Sequence, residues 1–274
     1  MGSVVEILLW VWIALESGVN SDSLPEITDQ GFIDECVKAH NEARSSVNPP
    51  ASDMLYMTWD EGLAITARAW ARKCVFKHNI YLRDAPRMHP HFSSVGENIW
   101  AGYPPYPFDA RKAIIDKWVG EKQVYNYQGN TCSGVCGHYT QAVWASSFKV
   151  GCAAQLCPNG VKETNFATEE GVIFVCNYAT GGNVNGRRPY ETQGAACSKC
   201  EGSCVNKLCR SQKRDSQKSY KWSPDWDRSE AAPENHAASS NYVAVLVARP
   251  IALICTFIAA YVVHYFYPDM FCYE

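Results

Sequence analysis

The stretch CGHYTQAVW (136–144) concentrates side chains that could do chemistry. His138 follows a cysteine and precedes a tyrosine, a threonine, a glutamine and a tryptophan. An imidazole in such a setting can bind a divalent metal, transfer a proton or make a buried hydrogen bond. The chain contains no GxSxG or HExxH motif, and nothing marks the neighbouring Ser146 or Ser147 as a nucleophile. The pattern therefore favours a metal ligand or a structural residue over a catalytic one.

The composition narrows the class of protein. The chain has 274 residues, 13 cysteines and a formal net charge of −3. This weak charge, with no basic patch among aromatic residues, argues against a nucleic-acid partner. The cysteines are dense and clustered, which is typical of disulfides formed in an oxidising compartment.

Both ends of the chain carry apolar runs. The run at 7–15 predicts a signal peptide over 1–20, with an uncleaved anchor as the alternative. The run at 242–267 is long enough for a transmembrane helix, and a glycolipid-anchor signal or an unanchored segment are its alternatives. We therefore predict passage through the secretory pathway and a domain on the extracellular or luminal side of the cell surface or another membrane. Secretion and glycolipid anchoring stay open.

Between these ends, hydrophobic periodicity predicts helices over 29–47, 60–73 and 109–123, and apolar, β-branched runs predict strands over 149–157 and 171–179. Helices around a short antiparallel sheet indicate an α+β layered domain.

After Tyr190 four cysteines fall within thirteen residues that have almost no apolar content, which predicts a disulfide-held hinge over 191–210. The segment 211–240 is polar and reads as a disordered stalk.

Four ordered motifs resemble those of the CAP superfamily (cysteine-rich secretory, antigen 5 and pathogenesis-related proteins). They are HNxxR (40–44), GEN(I) (96–99), GHYTQxVW (137–144) and CNYxxGGN (176–183). The resemblance covers about 29–190 and implies a three-layer α-β-α sandwich. Members that act on ion channels continue into a further regulatory domain, which a stalk and an apolar segment replace here, so channel blocking is not implied.

The resemblance also implies a cleft lined by two histidines and two glutamates, which fall on His78, Glu97, Glu121 and His138. Neutral imidazoles at the two histidines could bind Zn²⁺ or another divalent metal. The glutamates could orient the rings or hold a metal-bound water. A purely structural role for all four residues is the alternative.

The cysteine pairing is likewise implied by the resemblance alone. It would leave Cys36 as a buried, unreactive thiol. The implied pairs are Cys74–Cys157, Cys152–Cys176, Cys132–Cys136, Cys197–Cys204 and Cys200–Cys209.

Three functions are compatible with these residues. The first is a membrane-tethered extracellular CAP-domain protein that acts by binding, with a metal-capable cleft and an unknown extracellular protein or a lipid such as a sterol as its ligand. The second is a metal-dependent hydrolase or protease that uses the His78, Glu97, Glu121 and His138 tetrad. The third is a structural adhesion-type domain in which only the surface matters. The lack of a nucleophile motif favours the first, and we expect no catalytic residue.

Overall fold

The computed structural model describes residues 23–216 and 218–227, together with six helical residues between positions 254 and 266. The chain divides into two units, 1–228 and 229–274, and the fold below is that of the first. The predicted signal peptide (1–20) and most of the predicted anchor (242–267) lie outside the described residues. In the part of the chain that is described, no helix combines the length and the apolar character needed to cross a bilayer.

A four-stranded sheet forms the middle of the domain, with strand order β1-β5-β6-β2. Strand β5 runs antiparallel to β6, and β6 antiparallel to β2, whereas β1 runs parallel to β5. The bounds are β1 Thr58–Trp59, β2 Gly96–Gly102, β5 Lys149–Cys157 and β6 Gly171–Ala179. The two long strands have the bounds that the sequence predicts. Strand β2 was not predicted, and it is the strand that reaches the candidate site.

Helices cover both faces of this sheet. Helix α1 (Gln30–Ser45) and helix α2 (Glu61–Ala71) begin after aspartates whose carboxylates accept a backbone N–H from the first turn, as N-caps do. Helix α2 lies so close to β5 that a Cβ on Gly151 would collide with the helix backbone. On the other face of the sheet, the hydroxyl of Tyr178 in β6 bonds to His40 of α1. The layers are therefore helix, sheet and helix, which confirms the predicted α+β sandwich.

The third predicted helix is not a regular α-helix. After the short helix α3 (Ala85–Met88), helix α4 starts as Ala110–Lys112, widens to a π-helical turn over Ala113–Trp118 and tightens to a 3₁₀ turn over Val119–Val124. The prediction of one helix over 109–123 was therefore too simple. Tertiary contacts decide its shape, because the Trp118 indole N–H bonds to the β2 backbone and Glu121 bonds to the next helix. Such π-turns are frequent at functional sites.

Two small hairpins and five disulfides complete the unit. Helix α5 spans Gly137–Ala142 and helix α6 spans Gln212–Asp215, and the hairpins are β3–β4 (Tyr125–Asn126, Thr131–Cys132) and β7–β8 (Ser203–Val205, Leu208–Arg210). Cys36 is a free, buried thiol. The disulfides join the pairs that the family resemblance implied: Cys74–Cys157, Cys132–Cys136, Cys152–Cys176, Cys197–Cys204 and Cys200–Cys209.

Arg44 fastens helix α1 to the rest of the domain. Its guanidinium is buried and donates to carbonyl oxygens of Leu55 and of four residues between positions 142 and 147. Burial lowers its pKa to about 9. The arginine of the HNxxR motif is thus a structural clamp on the loop that follows helix α5.

The segment after the hinge differs from its prediction. We expected a disordered stalk over 211–240, but residues 218–227 lie against the domain, and Trp226 and Asp227 are buried. The reason is that this polar segment contains three aromatic side chains, Tyr220, Trp222 and Trp226, which pack on the surface near helices α2 and α3. We call residues 218–227 the strap.

Candidate functional site

The first pair of the predicted site consists of His78 and Glu97. His78 follows helix α2 in a loop, and Glu97 is the second residue of strand β2. The Nδ1 atom of His78 lies 2.9 Å from Oε1 of Glu97, and the same oxygen accepts the backbone N–H of Asn79 at 2.8 Å. The Glu97 side chain has no exposed surface, whereas 61% of the His78 side chain is exposed. A buried carboxylate thus holds an accessible imidazole ring.

The second pair consists of His138 and Glu121. The Nδ1 atom of His138 lies 2.6 Å from Oε1 of Glu121, whose other oxygen accepts the backbone N–H groups of His138 and Tyr139. These N–H groups lie in the first turn of helix α5 and have no partner within that helix. The His138 ring stacks on Trp118, which in turn stacks on Phe174 of the sheet. Glu121 therefore fixes both the helix start and the imidazole ring.

Strand β2 connects the two pairs. Asn98, the residue after Glu97, donates from its side chain to the backbone oxygen of His138 at 3.0 Å. The Asn98 amide also contacts the Tyr178 hydroxyl, which bonds to His40 of helix α1. The position of His138 is thereby coupled to the sheet and to helix α1.

The structure brings the four predicted residues together as two His–Glu pairs, and not as one compact ligand cluster. Among the described residues, no three of these side chains place their ligand atoms within 4.8 Å of one another. The described cysteines Cys197, Cys200 and Cys209 do meet that distance. Their sulfurs are bonded in the Cys197–Cys204 and Cys200–Cys209 disulfides, so they are not thiolate ligands.

The donor chemistry of the pairs suits a divalent metal. A carboxylate oxygen can only accept, so Nδ1 of each neutral ring carries the proton and Nε2 keeps its lone pair. Within the described part of the chain, neither Nε2 has a hydrogen-bond partner. A carboxylate on one ring nitrogen with the other nitrogen open is the arrangement found around metal-bound histidines. The glutamates thus match the ring-orienting role considered from the sequence.

The pKa values of His78 and Glu97 are both raised. The hydrogen bond to Glu97 raises the pKa of His78 above its ordinary value. Burial raises the pKa of Glu97, and the hydrogen bonds from His78 and Asn79 only partly offset that rise. The pair as a whole therefore retains a proton at a higher pH than its separate groups would.

The serines near His138 do not form a nucleophile arrangement. The Ser147 hydroxyl donates to the backbone oxygen of Thr180, and that of Ser146 contacts the Thr180 hydroxyl. Neither hydroxyl is hydrogen-bonded to a histidine among the described residues. The hydroxyl groups of both serines are therefore used within the loop.

The sequence reasoning missed several residues that hold this site. Asn79 and Asn98 contact the pairs directly, and the buried Trp118 stacks on the His138 ring. Asn79 acts through its backbone N–H, for which the sequence carries no signal, whereas Asn98 is the asparagine of the GEN motif and donates from its side chain.

Comparisons with known proteins agree with this fold. The model of a family described as "CAP: Cysteine-rich secretory protein family" matches residues 37–178. GLIPR1-like protein 1 of Bos taurus is 44% identical over 81% of this chain and 89% of its own length. Glioma pathogenesis-related protein 1 of Mus musculus is 39% identical over 97% of this chain and 98% of its own length.

One solved structure with a TM-score above 0.5 shows the same fold. The structure described as "Crystal Structure of Na-ASP-1" has a TM-score of 0.52 and 28% identity, over 70% of this chain and 50% of that chain. The one described as "Crystal structure of NaASP2 with Zn2+" has a TM-score of 0.48 and 27% identity, over 70% of this chain and all of that one. Fold and site thus define an extracellular-type, disulfide-fastened α+β domain. The chain belongs to the cysteine-rich secretory protein (CAP) family.

Proposed function

We propose that this chain is an extracellular binding protein whose two His–Glu pairs hold a divalent metal such as Zn²⁺. The observation that carries the proposal is that Nδ1 of each histidine bonds to a glutamate oxygen. In a neutral ring this leaves the lone pair of Nε2 available to a metal ion. His78 and His138 would be the ligands, while Glu97 and Glu121 would orient them. A bound Zn²⁺ would join the loop after helix α2 to helix α5 and supply a charged centre for an extracellular protein or lipid ligand.

The proposed arrangement along the chain follows the sequence. A signal peptide (1–20) precedes the CAP domain (29–190) and the hinge (191–210), and the segment 242–267 tethers the protein to a membrane. The disulfides support an oxidising compartment for the domain. A transmembrane helix is our preferred tether, and a glycolipid anchor is the alternative.

The test is calorimetric titration of Zn²⁺ into the full-length protein at about pH 7.5. We expect His78→Ala and His138→Ala each to abolish measurable binding, and Glu97→Gln to weaken it by about 10- to 100-fold, as loss of a ring-orienting partner does. His91→Ala, at an exposed histidine, is the matched control and should bind like wild type. Because the pKa of His78 is raised, affinity should already fall as the pH drops toward about 6.5.

Equal affinity in wild type, His78→Ala and His138→Ala would refute the metal proposal. If Zn²⁺ does not bind while both histidine variants lose stability, the pairs act as structural fasteners of helix α5 and the 78–79 loop. Hydrolysis of peptides or esters that is lost in Glu97→Gln would instead support the hydrolase hypothesis.

A further inference from the structure

The strap (218–227) buries one large aromatic side chain in the domain. Trp226 is only 8% exposed, and its indole N–H donates to the backbone oxygen of Arg87 at 2.9 Å. Its ring stacks on Tyr81, with centroids 5.2 Å apart, and meets the edge of Trp70 at 6.2 Å. Both distances are typical of favourable aromatic pairs.

Ionic contacts hold the strap on both sides of this ring. Asp225 accepts hydrogen bonds from Arg87, whose guanidinium also lies 3.9 Å from the centre of the Tyr81 ring. Asp227, which is buried, pairs with Arg72 at 3.1 Å. Trp226 is therefore fixed between two anchored neighbours and has little freedom to leave its position.

The two rings that Trp226 contacts flank the loop of His78. The Trp70 indole N–H donates to the backbone oxygen of Lys77 at 2.8 Å, directly before His78. The backbone N–H of Tyr81 donates to the side-chain oxygen of Asn79 at 3.0 Å, directly after it. Trp226 thus packs on two residues, Trp70 and Tyr81, that each hydrogen-bond to a neighbour of His78.

We propose that Trp226 is a positioning residue for His78, so that the strap sets the geometry of the His78–Glu97 pair. A loop has more conformational freedom than a strand, and Glu97 lies on a strand, so the exposed His78 ring depends on its flanking contacts. Removing the Trp226 ring leaves Trp70 and Tyr81 with a void beside them and frees residues 77–81 to move. The metal readout of this inference rests on the proposed function, and the exchange readout below does not.

The test compares three variants of the full-length protein, Trp226→Ala, Trp226→Phe and Trp222→Ala. Trp222 is the matched control, because it lies on the same strap and contacts His89 but no ring that flanks His78. The first measurement is hydrogen exchange of the metal-free protein at the amides of Asn79 and Tyr81. The second is Zn²⁺ affinity by calorimetry.

We expect Trp226→Ala to speed exchange at both amides about tenfold and to weaken Zn²⁺ binding about tenfold, the lower end of the cost of losing an outer-shell partner. Trp226→Phe keeps an aromatic ring and should restore both values to within about twofold of wild type. The amides of His138 and Tyr139, which bond to Glu121, should exchange at the wild-type rate in every variant.

Unchanged exchange at Asn79 and Tyr81 in Trp226→Ala would overturn the inference whatever the metal does. Equal acceleration at His138 and Tyr139, or the same effect from Trp222→Ala, would also overturn it, because the role would then be general stability. If exchange responds as expected but wild type binds no Zn²⁺, the proposed function fails and the positioning role of Trp226 is supported.

Discussion

Acidification should weaken the fold through His40, a buried histidine of helix α1. Its Nδ1 lies 2.8 Å from the backbone oxygen of Cys36, and its Nε2 lies 2.8 Å from the hydroxyl of Tyr178. Because a carbonyl can only accept, Nδ1 carries the proton and Nε2 accepts from Tyr178. A second proton would break that bond and place a charge in the core near Arg44, whose own charge opposes it.

The size of the effect follows from the two pKa values. Burial lowers the pKa of His40 to about 4 in the folded protein, whereas an unfolded chain has a histidine pKa of about 6.5. As the pH falls below about 6.5 the unfolded state binds the proton first, so stability is lost. Each pH unit in this window costs about 1.4 kcal/mol, which makes the loss about 2.5 kcal/mol at pH 4.5. The contribution is fully present above about 6.5, and its loss is complete below about 4.

The assay is urea unfolding of wild type and His40→Gln at about pH 7 and pH 4.5, with the disulfides intact. His40→Gln should be the less stable protein at pH 7, because it loses a well-placed hydrogen-bonding ring. The gap in unfolding free energy should shrink by about 2.5 kcal/mol at pH 4.5, since only wild type carries the His40 penalty. His91→Gln, at an exposed position, keeps His40. Its difference in unfolding free energy from wild type should therefore not change between the two pH values.

A stability gap between wild type and His40→Gln that stays constant over this pH range would refute the reasoning. It would mean that His40 is not held neutral by the Cys36 and Tyr178 contacts. A gap that widens on acidification would mean that the folded state stabilises the charged ring, with the opposite sign of linkage.

Two further predictions concern stability. Arg44→Lys should lower the unfolding free energy by about 3 kcal/mol in urea unfolding, because a single ammonium cannot replace the planar fork that serves several buried carbonyls; a loss below about 1 kcal/mol would contradict the clamp role. Replacing Cys74 and Cys157 by alanine should cost about 4–5 kcal/mol and replacing Cys132 and Cys136 only about 2 kcal/mol, since these bridges span 83 and 4 residues; equal shifts in the denaturant midpoint would argue against the chain-entropy account.

The packed strap changes where a proposed tether would begin along the chain. The sequence predicts a free stalk from 211 onward, but the fold holds residues up to Asp227 against helices α2 and α3. The described part of the strap ends at Asp227, which pairs with Arg72 directly after helix α2. Mechanical force on the strap, or proteolytic cleavage within it, would act on Trp226 and therefore on the candidate site.

Local patterns in the sequence were enough for the regular parts of the fold. Hydrophobic periodicity predicted helices over 29–47 and 60–73, and the structure places α1 and α2 within those ranges, each after an aspartate cap. The bounds of β5 and β6 followed from their runs of apolar residues. Ordered motifs identified the family and, through it, the four candidate site residues.

What the sequence could not show depends on contacts between distant residues. The pairing of His78 with Glu97 and of His138 with Glu121 is set by where strand β2 and the widened turn of helix α4 lie, and linear spacing carries no sign of either. Trp226 meets Trp70 and Tyr81 only in the folded chain, and a polar segment with a few aromatic residues reads locally as a stalk. Local propensity is decided by neighbours along the chain, whereas these contacts are decided by which surfaces the folded layers leave open for aromatic side chains to cover.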